Sequence, residues 1–176
     1  MHLESKDVVE RAPDVVFALV RDDLPKLVPY MPNVDRIEVL SREEKGGKVH
    51  IVNQWFAKAD IPSALKKVVK PEYFSWKDTA AWDPDKKCVK YKIEALAAKG
   101  LFSVEGTNSF LPLDGGKTEL KISCEVEIRP EAIPGVPSFL ARGIKGPLEA
   151  LIKKIMEPNL TSLAHQINEY FKKSGA

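Results

Sequence analysis

The last thirty residues of the chain carry apolar side chains three or four positions apart. That spacing places them on one face of a helix. The residues of this face are Leu148, Leu151, Ile152, Ile155, Leu160, Leu163, Ile167, Tyr170 and Phe171. The pattern predicts a long helix over residues 147–173, with Pro158 either bending it near Met156 or breaking it in two.

A period of two dominates the eighty or so residues before this helix. Apolar and polar side chains alternate over residues 102–110 and 120–128, and the Gly46-Gly47 and Gly115-Gly116 pairs mark hairpin turns. Such alternation is typical of an antiparallel sheet with one dry face and one wet face. The terminal helix must bury its apolar face against that sheet. The sequence therefore predicts an α+β fold in which a curved antiparallel sheet wraps around a long C-terminal helix.

The positions of proline, glycine and charged residues predict the shorter helices, strands and loops. Residues 2–10 predict a first strand, and two short helices follow it, the first beginning near Pro13 and the second ending at Pro32. Residues 63–70 predict another short helix, while residues 74–79 and 88–95 predict strands. A loop rich in helix breakers covers residues 130–137, and residues 131–143 are a candidate gate because Gly135 and Gly143 permit backbone change.

Composition narrows the class of function. A length of 176 residues predicts one domain spanning residues 1–176, and a net charge of +2 makes nucleic acid an unexpected partner. Cys88 and Cys124 have no partner at metal-ligand spacing, and neither a secretory signal nor an apolar run of membrane-spanning length is present. We therefore expect a cytoplasmic protein with no bound metal or cofactor.

Lysines cluster in the middle of the chain. They are Lys58, Lys66, Lys67, Lys70, Lys77, Lys86, Lys87, Lys90 and Lys92. They could be a solvated face balanced by nearby acidic residues, or they could favour transient contact with an anionic membrane surface or an acidic partner.

Two stretches resemble a known superfamily. Residues 12–22 (APDVVFALVRD), followed by residues 30–34 (YMPNV), resemble the opening of bacterial polyketide cyclase/dehydrase and coenzyme-Q-binding proteins. Residues 106–110 (GTNSF), with Leu113 and residues 115–118 (GGKT), resemble their paired late strands. The chain is thus similar to the START-like, or SRPBCC, helix-grip superfamily, which includes birch-pollen-allergen-like proteins. The resemblance implies a cavity between sheet and helix that binds or transports a lipid, a polyketide or another hydrophobic molecule.

A cavity of this kind needs a few polar groups to orient its ligand. Four polar residues share a strand face with apolar neighbours: Asn53, Asp78, Tyr91 and Asn108. Each could instead satisfy a neighbour in the core or lie on the outer face after a shift of register. The predicted ligand-binding residues are Asn53, Trp55, Trp76, Tyr91, Asn108, Phe110, Ile155 and Leu163.

Two other functions stay open. A cyclase or dehydrase acting on a polyketide-like substrate could use Tyr91, Asp78 or His165 as acid or base, with His165 suitable only if its ring faces inward. No Ser-His-Asp, Cys-His or paired-carboxylate spacing accompanies them, so binding without chemistry is favoured. A chaperone-like assembly protein could use Lys66, Lys67 and Lys70 as its docking surface.

Overall fold

Seven antiparallel strands form one curved sheet in the computed structural model, which describes residues 1–58 and 60–175. Their order across the sheet is β1-β7-β6-β5-β4-β3-β2, so all neighbours except β1 and β7 are consecutive in the chain. The strands are β1 (His2–Val9), β2 (Val34–Lys45), β3 (Lys48–Ala57), β4 (Ser75–Asp83), β5 (Cys88–Ala95), β6 (Phe102–Leu113) and β7 (Lys117–Ile128). The predicted antiparallel sheet is confirmed.

Helices fill the concave side of the sheet. Between β1 and β2 lie α1 (Pro13–Asp22) and a 3-10 helix (Leu24–Tyr30), as the two-helix prediction requires. Two shorter 3-10 helices occupy Pro71–Phe74 and Pro130–Ala132. The chain ends in α2 (Ser138–Thr161) and α3 (Leu163–Ser174). These elements form the α+β helix-grip arrangement that the resemblance implies.

The terminal segment is two helices that meet at Ser162, so the predicted break in two is the alternative that the structure shows. Pro158 sits inside α2, where its ring denies a hydrogen bond to the carbonyl of Lys154, four residues earlier. The Asn33 side chain donates to that carbonyl at 3.3 Å, which allows the helix to run past the proline. The helix ends one turn later, where Thr161 Oγ1 bonds the Glu157 carbonyl at 2.7 Å.

Two sequence predictions are wrong in this part of the chain. Residues 63–68 form turns rather than a helix, and Lys70 is extended because Pro71 disfavours a helical conformation at the preceding residue. α2 begins at Ser138, nine residues before the predicted start, since Pro137 fixes an extended backbone at its N-cap. Gly143 therefore lies within a helix, and the candidate gate shrinks to residues 131–137.

Two clusters of buried side chains make up the core. One lies under α1 and α3, where the Phe17 ring meets Trp82 and Phe110 edge to face at 5.3 and 5.4 Å. The other lies under α2 and includes Leu148 and Ile152. Trp55 and Tyr91 pack against both clusters, so they mark the seam between them.

Candidate functional site

A cavity opens at this seam, between the concave face of the sheet and the junction of α2 and α3. The volume of this cavity is about 90 Å³. Most of the lining is apolar or aromatic. The lining residues are Val20, Leu24, Met31, Trp55, Trp76, Asp78, Ala80, Trp82, Val89, Tyr91, Ile93, Asn108, Ile122, Met156, Asn159, Leu160 and Leu163.

All three tryptophans of the chain line this cavity. Trp55 and Trp76 face each other across β3 and β4, with their rings stacked 6.0 Å apart at an interplanar angle of 18°. Trp82, further along β4, packs against Phe17 and Phe110. The walls therefore offer flat, polarisable surfaces to a ring-shaped or cationic ligand.

Three polar residues lie on a diagonal across neighbouring strands, on the apolar sheet side of the cavity. Asp78 lies on β4, Tyr91 on β5 and Asn108 on β6. The strand register pairs Ala80 with Tyr91 and Val89 with Asn108, so each polar side chain is offset by two residues from the one on the neighbouring strand. Diagonal neighbours of this kind lie about 7–8 Å apart, which places the three groups in one contiguous track.

Polar atoms of the lining lack hydrogen-bond partners among the described residues. Buried polar groups are nearly always paired, so a cluster of unpaired ones indicates water or ligand between them. Those that line the cavity are Trp55 Nε1, Asp78 Oδ1, Trp82 Nε1, Tyr91 OH, Asn108 Oδ1 and Asn159 Oδ1. The cavity thus presents donors and acceptors to whatever occupies it.

Asp78 is the buried carboxyl of this site, with 9% of its surface exposed. Burial raises its pKa from 3.8 to about 6, because a charged carboxylate loses its hydration there. The nearby Asn53 amide and Trp55 indole act in the opposite direction and lower the pKa. Trp55 Nε1 and Asp78 Oδ1 nevertheless make no hydrogen bond of standard geometry to a described residue, so burial dominates. Asp78 therefore changes charge close to neutral pH.

Tyr91 keeps its proton, since burial raises the pKa of its hydroxyl, and the nearby Cys124 thiol adds to that effect. Its ring lies over the backbone of Gly106 on the next strand. A Cβ at Gly106 would stand 2.5 Å from the Tyr91 hydroxyl and 2.7 Å from Cys124 Cβ. Only glycine leaves room for the ring at this register, so Gly106 fixes the position of Tyr91 in the wall.

The structure brings most of the predicted site residues together. Trp55, Trp76, Tyr91, Asn108 and Leu163 line the cavity, as does the acid-base candidate Asp78.

Three predicted ligand-binding residues do not line it. Asn53 is buried opposite Asp78 on β3, where it supports the carboxyl from the side. Phe110 is fully buried beneath Phe17 and Trp82. Ile155 packs in the core cluster under α2. His165 lies on the exposed side of α3, so the condition for its acid-base role, an inward ring, is not met.

Asn159 is a lining residue that the sequence prediction missed. It follows Pro158 directly, and its Nδ2 donates to the Ile155 carbonyl at 2.9 Å, which turns its Oδ1 into a free acceptor. The flexible side chains of Met31 and Met156 were missed as well. A polar residue next to a helix-breaking proline on the apolar face is the signal that could have pointed to Asn159.

The basic middle of the chain does not form one unpaired patch. Lys58 pairs with Asp35 at 3.6 Å, Lys87 with Asp14 at 2.6 Å, and Lys92 with both Glu94 and Glu105. Part of the predicted positive surface is therefore neutralised by acidic neighbours.

A comparison with protein-family models identifies the family of this chain. The family model described as polyketide cyclase/dehydrase and lipid transport matches residues 1–167. The chain belongs to this family. The START-like resemblance drawn from the sequence is thereby confirmed. None of the curated proteins compared with the chain matches it, and no described helix is long and apolar enough to cross a membrane.

Solved structures share the fold at low sequence identity. The TTHA0849 protein from Thermus thermophilus is 22% identical, with all of both chains covered and a TM-score of 0.68. The ZhuI aromatase/cyclase from Streptomyces sp. R1128 is 18% identical over 99% of this chain and 95% of its own, with a TM-score of 0.65. Norcoclaurine synthase from Thalictrum flavum is 15% identical over 96% of this chain and 84% of its own, with a TM-score of 0.53. These likenesses establish the fold alone.

Proposed function

We propose that this protein binds a hydrophobic small molecule in the cavity between the sheet and the α2–α3 junction, and carries or senses it. The single observation that supports this most is the group of unpaired polar atoms facing an otherwise apolar cavity. Apolar transfer would supply affinity, and the polar track of Asp78, Tyr91 and Asn108 would set orientation. The family description, which includes lipid transport, is consistent with this role.

The size of the cavity restricts what the closed protein can hold. Its 90 Å³ is less than the roughly 150 Å³ of an engineered apolar cavity that accepts benzene. A single-ring molecule would therefore need small side-chain shifts, which Met31 and Met156 can provide because methionine is unbranched and flexible. A long lipid or a polyketide would require α2 to move away from the sheet. The break at Ser162 and the glycine-containing loop at residues 131–137 are the places where such movement would begin.

Filling the cavity tests this function directly. Ala80 lines the cavity, whereas Ala81 is its neighbour on β4 and lies on the opposite face of the sheet. We expect Ala80→Leu to abolish the change in tryptophan fluorescence that toluene produces, since the leucine occupies the ligand's space. Ala81→Leu is the matched control and should respond like the wild type. Equal toluene binding by both variants would contradict the proposed site.

A cyclase-type reaction is the second candidate, favoured by one observation. Asp78, with a pKa of about 6, and the protonated Tyr91 line the same mostly apolar cavity, where the carboxylate could accept a proton and the hydroxyl could donate a hydrogen bond. Structural relatives include a polyketide aromatase/cyclase. If this protein catalyses cyclisation or dehydration of a poly-β-ketone, Asp78→Asn and Tyr91→Phe should each lower turnover by about a hundredfold or more. Turnover that survives in the double variant would exclude these residues as the acid and base, and His165→Ala serves as the exposed control.

A further inference from the structure

One buried carboxyl stands among aromatic rings in the cavity wall. Trp76 lies two residues before Asp78 on the same face of β4, and Trp55 is paired with Trp76 on β3. The Tyr91 ring lies on the next strand, and all four side chains line the cavity. A carboxylate in a cavity lined by aromatic rings can recognise an organic cation, because both the charge and the ring quadrupoles attract positive charge.

The positive charge that Asp78 needs is not supplied by the cavity lining. No lysine, arginine or histidine occurs among the described residues that line it. Leaving a buried carboxylate without a cationic partner is costly, since the Asn53 amide and the Trp55 indole replace only part of the lost hydration. The site is therefore electrostatically incomplete without a proton or a cation from outside.

Hydrogen-bond acceptors face the cavity from two opposite sides. Asp78 Oδ1 comes from the sheet, and Asn159 Oδ1 comes from α2. The orientation of the Asn159 amide is fixed by its bond to the Ile155 carbonyl, so its free atom is an acceptor. An ammonium group carries only donors, so it can bond to both of these acceptors, while the unpaired indole N–H groups of Trp55 and Trp82 are left for water.

We propose that the preferred ligand of this cavity is a small amine in its protonated form, with an apolar body against the tryptophans and its ammonium group on Asp78. This inference rests on the proposed function, because it names the chemical class of the molecule that the cavity binds. It distinguishes a cationic ligand from a neutral lipid or polyketide, which would not neutralise the Asp78 carboxylate.

Binding should depend on pH through Asp78. The titratable groups that face the cavity are Asp78 on β4 and Tyr91 on β5, and the lining residues from α1, α2, α3 and the 3-10 helix Leu24–Tyr30 carry no charge. Tyr91 stays protonated throughout the accessible range, since burial raises its pKa. Affinity for an amine should therefore be highest above the Asp78 pKa of about 6 and should fall as the carboxyl is protonated below it.

Three probes of similar shape test the inference: toluene, benzyl alcohol and benzylamine. Their binding is followed by the fluorescence of the cavity tryptophans in the full-length protein, at about pH 8 and about pH 5. At the higher pH we expect benzylamine to bind at least about tenfold more tightly than benzyl alcohol. The preference should fall below about threefold at the lower pH and in Asp78→Asn. Asp83→Asn, at the end of the same strand and ion-paired with Lys48 at 3.8 Å, should keep the wild-type preference.

The outcomes separate this inference from the proposed function. Binding of toluene together with equal or tighter binding of the alcohol than of the amine would overturn the cation inference and leave the cavity function standing. Binding of none of the three probes would overturn both. A tenfold preference for the amine that survives in Asp78→Asn would overturn the assignment of its ammonium group to Asp78.

Discussion

Replacing Asp78 with asparagine should make the protein more stable at neutral pH. The folded protein holds this carboxyl at a pKa of about 6, against an ordinary value of 3.8. A tenfold difference in proton affinity is worth about 1.4 kcal/mol, so the rise of about two pKa units corresponds to roughly 3 kcal/mol. The neutral asparagine has nearly the same shape and does not bear the cost of burying a charge.

The sign of the effect follows from which state binds the proton more tightly. Because the pKa is higher in the folded protein, the contribution of Asp78 to stability is fully present below about pH 4 and is lost as the pH rises through about 6. The free energy of unfolding of the wild type should therefore fall, relative to that of Asp78→Asn, by about 3 kcal/mol between about pH 3 and about pH 7. For a domain of this length, that difference corresponds to a shift in Tm of about 6–12 °C.

Denaturant unfolding of both proteins at a series of pH values measures this difference. Exposed carboxyls titrate alike in the two proteins and cancel in the comparison. Asp83→Asn controls for the loss of a carboxyl from β4, and it should gain no stability at neutral pH because the Asp83 carboxylate pairs with Lys48. A difference between wild type and Asp78→Asn that stays flat from about pH 4 to about pH 7 would refute the burial argument.

Other substitutions test the packing of the same site. Gly106→Ala should cost about 1–3 kcal/mol, since its Cβ would overlap Tyr91 and Cys124, and replacing Tyr91 with valine in the same chain should recover only the part of that loss caused by the Tyr91 ring, as a double-mutant cycle measures. Gly143→Ala should instead raise the free energy of unfolding by about 0.5–1 kcal/mol, because it lies within α2 with open space around it; a loss of stability would contradict the helical assignment. His165→Ala should leave probe binding and its pH dependence unchanged, because this histidine is exposed. A changed pH profile would show instead that His165 takes part in binding.

The sheet was predictable because alternation identifies which side chains face inward. On β6 and β7, most apolar residues that alternate with polar ones are buried, such as Val104, Phe110, Leu120 and Ile122. The same rule identifies Asp78 and Asn108 as inward-facing polar residues, and both are buried. A single dry face fixes the register, since a slip of one residue would expose the whole apolar set.

The boundary of the cavity was not predictable, because inward orientation does not distinguish a lining residue from a packed one. Phe110 and Ile155 face inward, but Phe17 covers the first and the core under α2 encloses the second. The seam between the two core clusters depends on where the helix breaks. The two helices meet at Ser162, and the Asn33 side chain bonds the Lys154 carbonyl of α2 from 121 residues away in the chain. Periodicity carries no information about such a contact.

Native mass spectrometry of the protein purified without detergent tests the central claim most directly. We expect a stoichiometric adduct on the wild type and on Ala81→Leu, its absence on Ala80→Leu, and release of a small hydrophobic molecule on denaturation. An adduct of equal occupancy on Ala80→Leu would contradict the account, since the bound molecule would then lie outside this cavity.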